Sequence, residues 1–352
     1  MMTSVEKGTT LPSIQDIQTR FSQFPNVIDK VSAISAYRIC LSFEESAKTK
    51  RDWDSLIRAR VLGYLIINTP TRAGLSEVAK EIHLCTQEYE YDKLSALGEA
   101  FVLLFIRPFE KFKESPPPSD REKIELKARI NEAPQNYTEA KALALLRDGY
   151  KCVLSGRYDI DVAIANDIST QTVLEAGGGI YTRCVHILPD PTYFEDTNPE
   201  PERDYSASVL GVLKAFGYDI ENLTGAKVHS LFNVMSLDPN FHEYFSRLEI
   251  WFEPTLTPHC YTIETYLPIL IPATPITFNT SSDPESVLNL PLPSAELLVL
   301  HATCAKVAYM SGAGERLDEL DREIDDTGVL ASDGTSSEVL SYAFWNRAYP
   351  AG

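Results

Sequence analysis

The sequence lacks the features that mark several common classes of protein. None of its six cysteines belongs to a Cys-x-x-Cys pair, which excludes a zinc ribbon built on that motif and favours reduced thiols. The longest apolar run, around Phe101 to Ile106, is cut by Arg107 and Pro108 and is too short for a membrane helix. The first residues lack the apolar core of a signal peptide. We therefore expect a folded soluble protein of the cytoplasm or nucleus, with no membrane partner.

Positive charge is scarce as well. The chain has 32 Lys and Arg against 50 Asp and Glu, a formal net charge of −18. This net negative charge disfavours a nucleic-acid enzyme, because affinity for DNA comes mainly from Lys and Arg that neutralise the phosphates. Acidic residues are concentrated in 195–204 and 315–326, whereas the central stretch contains several cations. Two interpretations of this distribution stay open: a locally neutral or basic cleft, and the commoner one, a solvated face of mixed charge. The central cations are Lys141, Arg147, Lys151, Arg157 and Arg183.

The 352 residues are enough for two or three domains. Residues 1–135 predict an N-terminal helical region that ends in a proline-rich linker near 114–120. Up to about residue 50 the pattern indicates only a short helix near 13–21; helices capped by Asp54 and Ser76 and a third at about 92–106 follow.

The predicted fold class is α+β. Residues 136–255 form a central domain, in which Thr138 is a predicted helix cap and 150–154 a predicted strand. Residues 256–352 read as a strand-plus-helix extension, and its long apolar helix places His301 and Cys304 in the core rather than at a metal.

Within the central domain, residues 180–188 alternate in the way that is typical of a half-buried strand, which predicts a strand there with His186 near its end. Asp238 is a good N-cap and Pro239 fits the first helical position, so His242 falls in the first turn of a helix. An apolar stripe extends this predicted helix through Trp251. A hairpin followed by a helix would bring the two histidines together.

Three segments of this domain form one motif: 147–156 leads into it, 183–189 supplies His186, and 229–245 supplies Asn233 and then His242. They resemble the HNH endonuclease motif of fungal proteins, in which a strand carries His-Ile-x-Pro, a loop Asn-x-x-x-Leu and a helix His-x-x-Phe. The resemblance covers about the middle third of the chain and implies a ββα-metal module that hydrolyses phosphodiester bonds of nucleic acid, with DNA the first expectation.

The resemblance also implies roles for individual residues. His186 would be the general base, His242 a metal ligand, and Asn233 the residue that holds the loop or the base in position. These residue types suit the reaction, because neutral imidazole accepts a proton from water near neutral pH and a divalent ion neutralises charge on phosphate. The implied ion is Mg²⁺, with Zn²⁺ or Mn²⁺ as alternatives. Arg147 and Arg183 are candidates for substrate contact.

Two positions depart from the family pattern and leave an alternative open. Val185 stands directly before the base, where members with a well-defined metal site often have an acidic residue or histidine, and Ser246 stands where the family's His-x-x-Phe-Asp ending has a carboxylate. Asp238 and His229 are candidates for the missing ligand, although Asp238 is more simply a helix cap. Cys152 has no partner cysteine and is predicted to be a buried structural thiol. The alternative function is a catalytically decayed HNH module that binds nucleic acid or protein.

Overall fold

The computed structural model describes residues 8–21, 27–85, 91–109, 134–188, 209–218, 225–267, 275–278 and 290–319. Two compact units divide the chain, and each combines separate stretches of it. Unit 1 comprises 1–108, 191–220 and 303–352, and unit 2 comprises 109–190 and 221–302. The sequence instead predicts three consecutive regions, and its predicted linker near 114–120 lies outside the described residues.

The predicted α+β class is confirmed by the order of the elements. The helices are α1 Ile14–Phe21, α2 Val27–Lys50, α3 Trp53–Asn68, α4 Arg72–Leu84, α5 Asp92–Phe101, α6 Tyr137–Arg147, α7 Ile160–Ala165, α8 Thr170–Glu175, α9 at 209–215, α10 Pro239–Ser246, α11 Ala295–Ser311 and α12 at 313–319. A π-helical turn, Val102–Ile106, continues α5, and 3₁₀ turns occupy Arg107–Phe109, Gly225–His229 and Leu231–Asn233.

The strands form small sheets in unit 2. They are β1 Tyr158–Asp159, β2 Gly179–Ile180, β3 Arg183–His186, β4 Val234–Leu237, β5 Ile250–Pro254, β6 Cys260–Thr265 and β7 Pro275–Thr277. β1 pairs with β2 in parallel, β3 with β4 antiparallel, and β5, β6 and β7 form an antiparallel sheet.

Unit 1 is built around α2 and α3, two helices that pack against each other. The sequence did not predict α2. The middle of α3 is buried on nearly all sides, from Ala59 to Ile67, as expected of a helix at the centre of a bundle. Arg60 lies in this core and donates to Glu44 of α2 at 2.8 Å, so the buried charge is paired.

Three predicted helix caps are corrected by the structure. Asp54, Ser76 and Thr138 each lie inside a helix. In each case the side chain of a polar residue further upstream, which has an extended backbone, accepts a hydrogen bond from a free N–H of the first turn. Each helix therefore begins before the predicted cap. The observed caps are Asp52, Thr71 and Asn136.

Two further elements differ from the sequence prediction. The predicted strand at 150–154 is a turn: Tyr150 has a φ of 63°, and in this stretch only Lys151 forms a β-bridge. The helix that begins after Asp238 stops at Ser246, because Leu248 takes a φ of 57° and turns the chain. Trp251 therefore lies on β5 and not on the helix.

Among the described residues, no helix is long and apolar enough to cross a membrane. The prediction that His301 belongs to a helix core is confirmed, since its side chain is 1% exposed. Its ring stacks on Phe245 with the centroids 3.6 Å apart, and its Nε2 lies 3.1 Å from the Phe245 carbonyl oxygen. Burial in this apolar environment lowers the pKa of His301 to about 3. The residue is therefore neutral at physiological pH.

This buried histidine makes folding stability depend on pH. The unfolded chain binds a proton at His301 near pH 6.5 and the folded chain only near pH 3. The contribution of neutral His301 to the free energy of unfolding is therefore fully present well above pH 6.5 and is lost as the pH falls toward 3. We expect the parent to lose about 1.6 kcal/mol more than His301→Gln between pH 6.5 and 5, because His301 of the unfolded chain is already half protonated at pH 6.5. Urea unfolding at the two pH values measures this difference. His259→Gln, at an exposed turn, is the control, and equal pH dependence of the parent and His301→Gln would contradict the prediction.

Candidate functional site

The candidate site is built on β3, β4 and α10. Arg183 pairs with Leu237 and His186 with Val234 in the antiparallel ladder. The chain leaves β4 at Asp238, whose side chain accepts from the Asn240 N–H at 3.0 Å, and Pro239 is the first residue of α10. Two strands and a capped helix are therefore present in that order. The predicted continuous strand over 180–188 is corrected: β2 ends at Ile180 and β3 spans only Arg183–His186, since the Thr182 N–H between them donates to the Asp159 carboxylate and not to a neighbouring strand.

Asn233 is fully buried at the start of β4 and acts as a latch between two loops. Its Oδ1 accepts the Leu188 N–H at 2.9 Å, and its Nδ2 donates to the carbonyl oxygens of Leu188 and Val228, each at 2.9 Å. The amide thus ties the chain just beyond His186 to the 3₁₀ turn Gly225–His229. It bonds backbone near His186, and its part in catalysis stays a prediction.

His186 is half-buried at the end of β3. Its Nε2 lies 3.0 Å from Nδ1 of His229, the last residue of the 3₁₀ turn Gly225–His229. The ring of Tyr137, the first residue of α6, lies 6.3 Å from the His186 ring. From the sequence, His229 is only a candidate for the missing metal ligand. Its contact with His186 could not be predicted, because the two histidines are 43 residues apart and no periodic pattern relates them.

His242 lies in the first turn of α10, where its N–H donates to the Asp238 carbonyl at 2.8 Å. Its side chain is half-buried. This is the placement that the sequence predicted. A shared catalytic site with His186 stays a prediction.

The described residues do not by themselves form a metal cage. No group of three or more His, Cys, Asp or Glu is placed to hold an ion within the described ranges. Val185 points into the core, 2% exposed, at the position where the family often has a ligand. Asp238 caps α10 and its carboxylate lies 3.5 Å from Arg157 Nη1, so cap and ion pair explain its placement.

The structure corrects the expectation that Arg147 contacts the substrate. Its side chain is 1% exposed and donates to the carbonyl oxygens of Leu231 at 2.6 Å and Val234 at 2.8 Å. Asp148 receives two further bonds from the same guanidinium and accepts the Ser236 N–H at 2.9 Å. Arg147 and Asp148 therefore support β4 from inside. Arg183, half-buried on β3, stays a candidate for substrate contact.

Cys152 supports the same strand pair from a tight turn. Its buried sulfur accepts the backbone N–H groups of Ser155 at 3.3 Å and Asp238 at 3.1 Å. The predicted structural thiol is confirmed. These bonds fix the start of α10, where His242 lies.

Comparison with known proteins adds no support to the site. No family model, no curated protein and no solved structure matches this chain.

The buried guanidinium of Arg147 generates a stability prediction. Lysine keeps the charge but cannot bond two carbonyls and a carboxylate as one planar fork. We expect Arg147→Lys to lower the free energy of unfolding by about 3 kcal/mol, measured by urea denaturation. Arg183→Lys is the matched control and should change it by less than about 1 kcal/mol. If Arg147→Lys has parental stability but binds DNA more weakly, the substrate role is restored.

The Asn233 latch generates a second prediction. In Asn233→Asp the carbonyl oxygens of Leu188 and Val228 lose their donor, and a carboxylate replaces a buried amide. We expect a loss of about 2–4 kcal/mol in the free energy of unfolding. Asn240→Asp, at an exposed position of α10, is the control and should differ little from the parent. A fully stable Asn233→Asp protein would show that the latch does not hold the loops.

Proposed function

We propose that this protein is a metal-dependent HNH endonuclease that hydrolyses phosphodiester bonds of nucleic acid, with DNA as the first substrate to test. The observation that carries the proposal is the succession β3, β4 and α10 with His186, Asn233 and His242 at the positions of the motif. Asn233 fixing the backbone beside His186 adds to it, since a catalytic side chain needs a rigid frame.

In the proposed reaction His186 takes a proton from the attacking water. Its position at a strand end, half-buried and framed by bonded loops, suits a general base that must reach substrate without losing its orientation. A divalent ion, Mg²⁺ first and Mn²⁺ or Zn²⁺ as alternatives, would neutralise charge on the phosphate. His242 would hold it, with water and phosphate oxygens as further ligands, which are common ligands of Mg²⁺ in such sites.

The proposed partner is nucleic acid, and surface cations near the site support it. Arg157 and Arg183 are partly exposed, and the Lys151 ammonium lies 4.4 Å from the centroid of the Tyr158 ring. Local cations matter more than net charge, because phosphate binding depends on charges within about a Debye length. An intracellular location, in the cytoplasm or nucleus, belongs to the same proposal.

A second candidate function is a decayed HNH module that binds nucleic acid or protein without cleavage. Two observations favour it: the described residues lack a group of three metal ligands, and Val185 is buried in the core. This candidate keeps the fold and the binding surface but loses the ion.

Plasmid nicking by the full chain separates the two candidates. We expect nicking with Mg²⁺ or Mn²⁺ and none with chelator. His186→Ala should keep metal affinity by calorimetry but lose cleavage by about 10²–10⁴-fold, the usual effect of a lost general base. His242→Ala should lose both metal binding and cleavage, and His259→Ala, at an exposed turn, should match the parent.

The proposal fails if the parent binds no divalent ion and cuts no nucleic acid, or if both histidine variants cut like the parent. In the first case Val185→Asp is the repair to test, since it returns a carboxylate to the position before the base. Recovery of metal binding in that variant would identify this chain as a decayed HNH module.

A further inference from the structure

The contact between His186 and His229 has the geometry of a directed hydrogen bond. The facing nitrogens, Nε2 of His186 and Nδ1 of His229, are 3.0 Å apart, within the usual range for a nitrogen donor. The ring centroids are 5.1 Å apart and the planes make an angle of 62°. That centroid separation is close to the largest that this N···N distance permits, so the two nitrogens meet nearly head-on.

A shared metal ion would require a different arrangement. With metal–nitrogen bonds of about 2 Å, both lone pairs must converge on a point beside the N···N line. The rings would then tilt toward a common point and their centroids would come closer together. The head-on approach therefore favours one proton between the two nitrogens over an ion.

The two histidines are held at this distance by one side chain. Nδ2 of Asn233 donates to the carbonyl of Val228, which precedes His229, and to the carbonyl of Leu188, two residues after His186. The backbone on both sides of the imidazole pair is therefore fixed by Asn233. Such a frame holds the two imidazoles at this N···N distance.

We propose that His229 is a positioning residue: its Nδ1 accepts a hydrogen bond from the Nε2–H of His186 and so fixes the tautomer of His186 whose lone pair is on Nδ1, the nitrogen that takes the proton of water in the proposed reaction. This inference rests on the proposed nuclease function. A neutral imidazole carries one N–H, and the bond that it makes decides which nitrogen remains basic. The opposite tautomer, with His229 as donor, would put the proton on Nδ1 of His186 and prevent it from acting as a base there.

In the proposed step one O–H bond of the water breaks, and its proton forms a new N–H bond at His186 Nδ1. The water oxygen uses the electron pair to bond phosphorus, and the scissile P–O bond breaks with its electron pair on the leaving oxygen, which takes a proton from solvent. His186 is then an imidazolium, whose Nε2–H bond to His229 is strengthened because a charged donor bonds more strongly. The proton leaves to solvent after cleavage.

Two variants of His229 test the role by activity. His229→Leu removes the acceptor, whereas His229→Asn places an amide oxygen near the position of Nδ1. We expect His229→Leu to lose about 10–100-fold in kcat, a usual effect of removing the partner that orients an active-site imidazole, with KM and metal affinity unchanged. His229→Asn should recover most of this loss, and His259→Leu is the control. Parental activity in His229→Leu, or no recovery in His229→Asn, would overturn the proposal.

The tautomer can be measured without activity. The full chain labelled with ¹⁵N in its six histidine rings gives long-range nitrogen–proton spectra that show which nitrogen carries the proton. We expect Nε2–H for both His186 and His229, with His186→Ala and His229→Leu used for assignment. A proton on Nδ1 of His186 would overturn the proposal.

These readouts separate failure of the inference from failure of the proposed function. If the parent does not cut nucleic acid, the function fails, and the spectra still decide whether His229 fixes the tautomer. If His229→Leu loses divalent-ion binding, His229 is a metal ligand and the positioning role is overturned.

Discussion

The interior pair Arg147 and Asp148 holds the strand pair on which the candidate site depends. The guanidinium bonds the carbonyls at both ends of the segment from Leu231 to Val234, and the carboxylate bonds the N–H of Ser236. A buried guanidinium is stable only when its donors are satisfied, so the chain around it must keep this path. β4 is fixed by these bonds, and β3 is fixed through its pairing with β4.

The candidate site separates groups that hold the backbone from the imidazoles for which we propose a catalytic role. Asn233 and the sulfur of Cys152 bond only backbone in the contacts described above, and they fix the two ends of the strand pair. The imidazoles lie outside this frame and are half-buried. Such an arrangement allows a small domain to keep a catalytic side chain oriented without an extensive sheet, because each supporting bond is buried and therefore costly to break.

Local rules predicted those parts of the site that local interactions decide. Asp238 and Pro239 gave the start of α10, because capping involves only adjacent residues. The helix α2 was missed, since its sequence carries no clear apolar stripe and its formation depends on packing against α3. The burial of Arg147 was also missed, because its carbonyl partners are more than 80 residues away. A separation of 43 residues likewise hid the contact of His186 with His229, and no rule of sequence spacing could have found it.

The central claim is that a phosphodiester bond is hydrolysed beside His186. A crystal structure of the full chain with a short DNA duplex and Ca²⁺, which is to hold substrate without cleavage, tests it most directly. Our account predicts a backbone phosphate separated from the His186 ring by one water molecule, within about 6 Å, and the His242 ring within about 10 Å of His186. DNA bound on another surface, or His186 and His242 facing separate regions, would contradict the account.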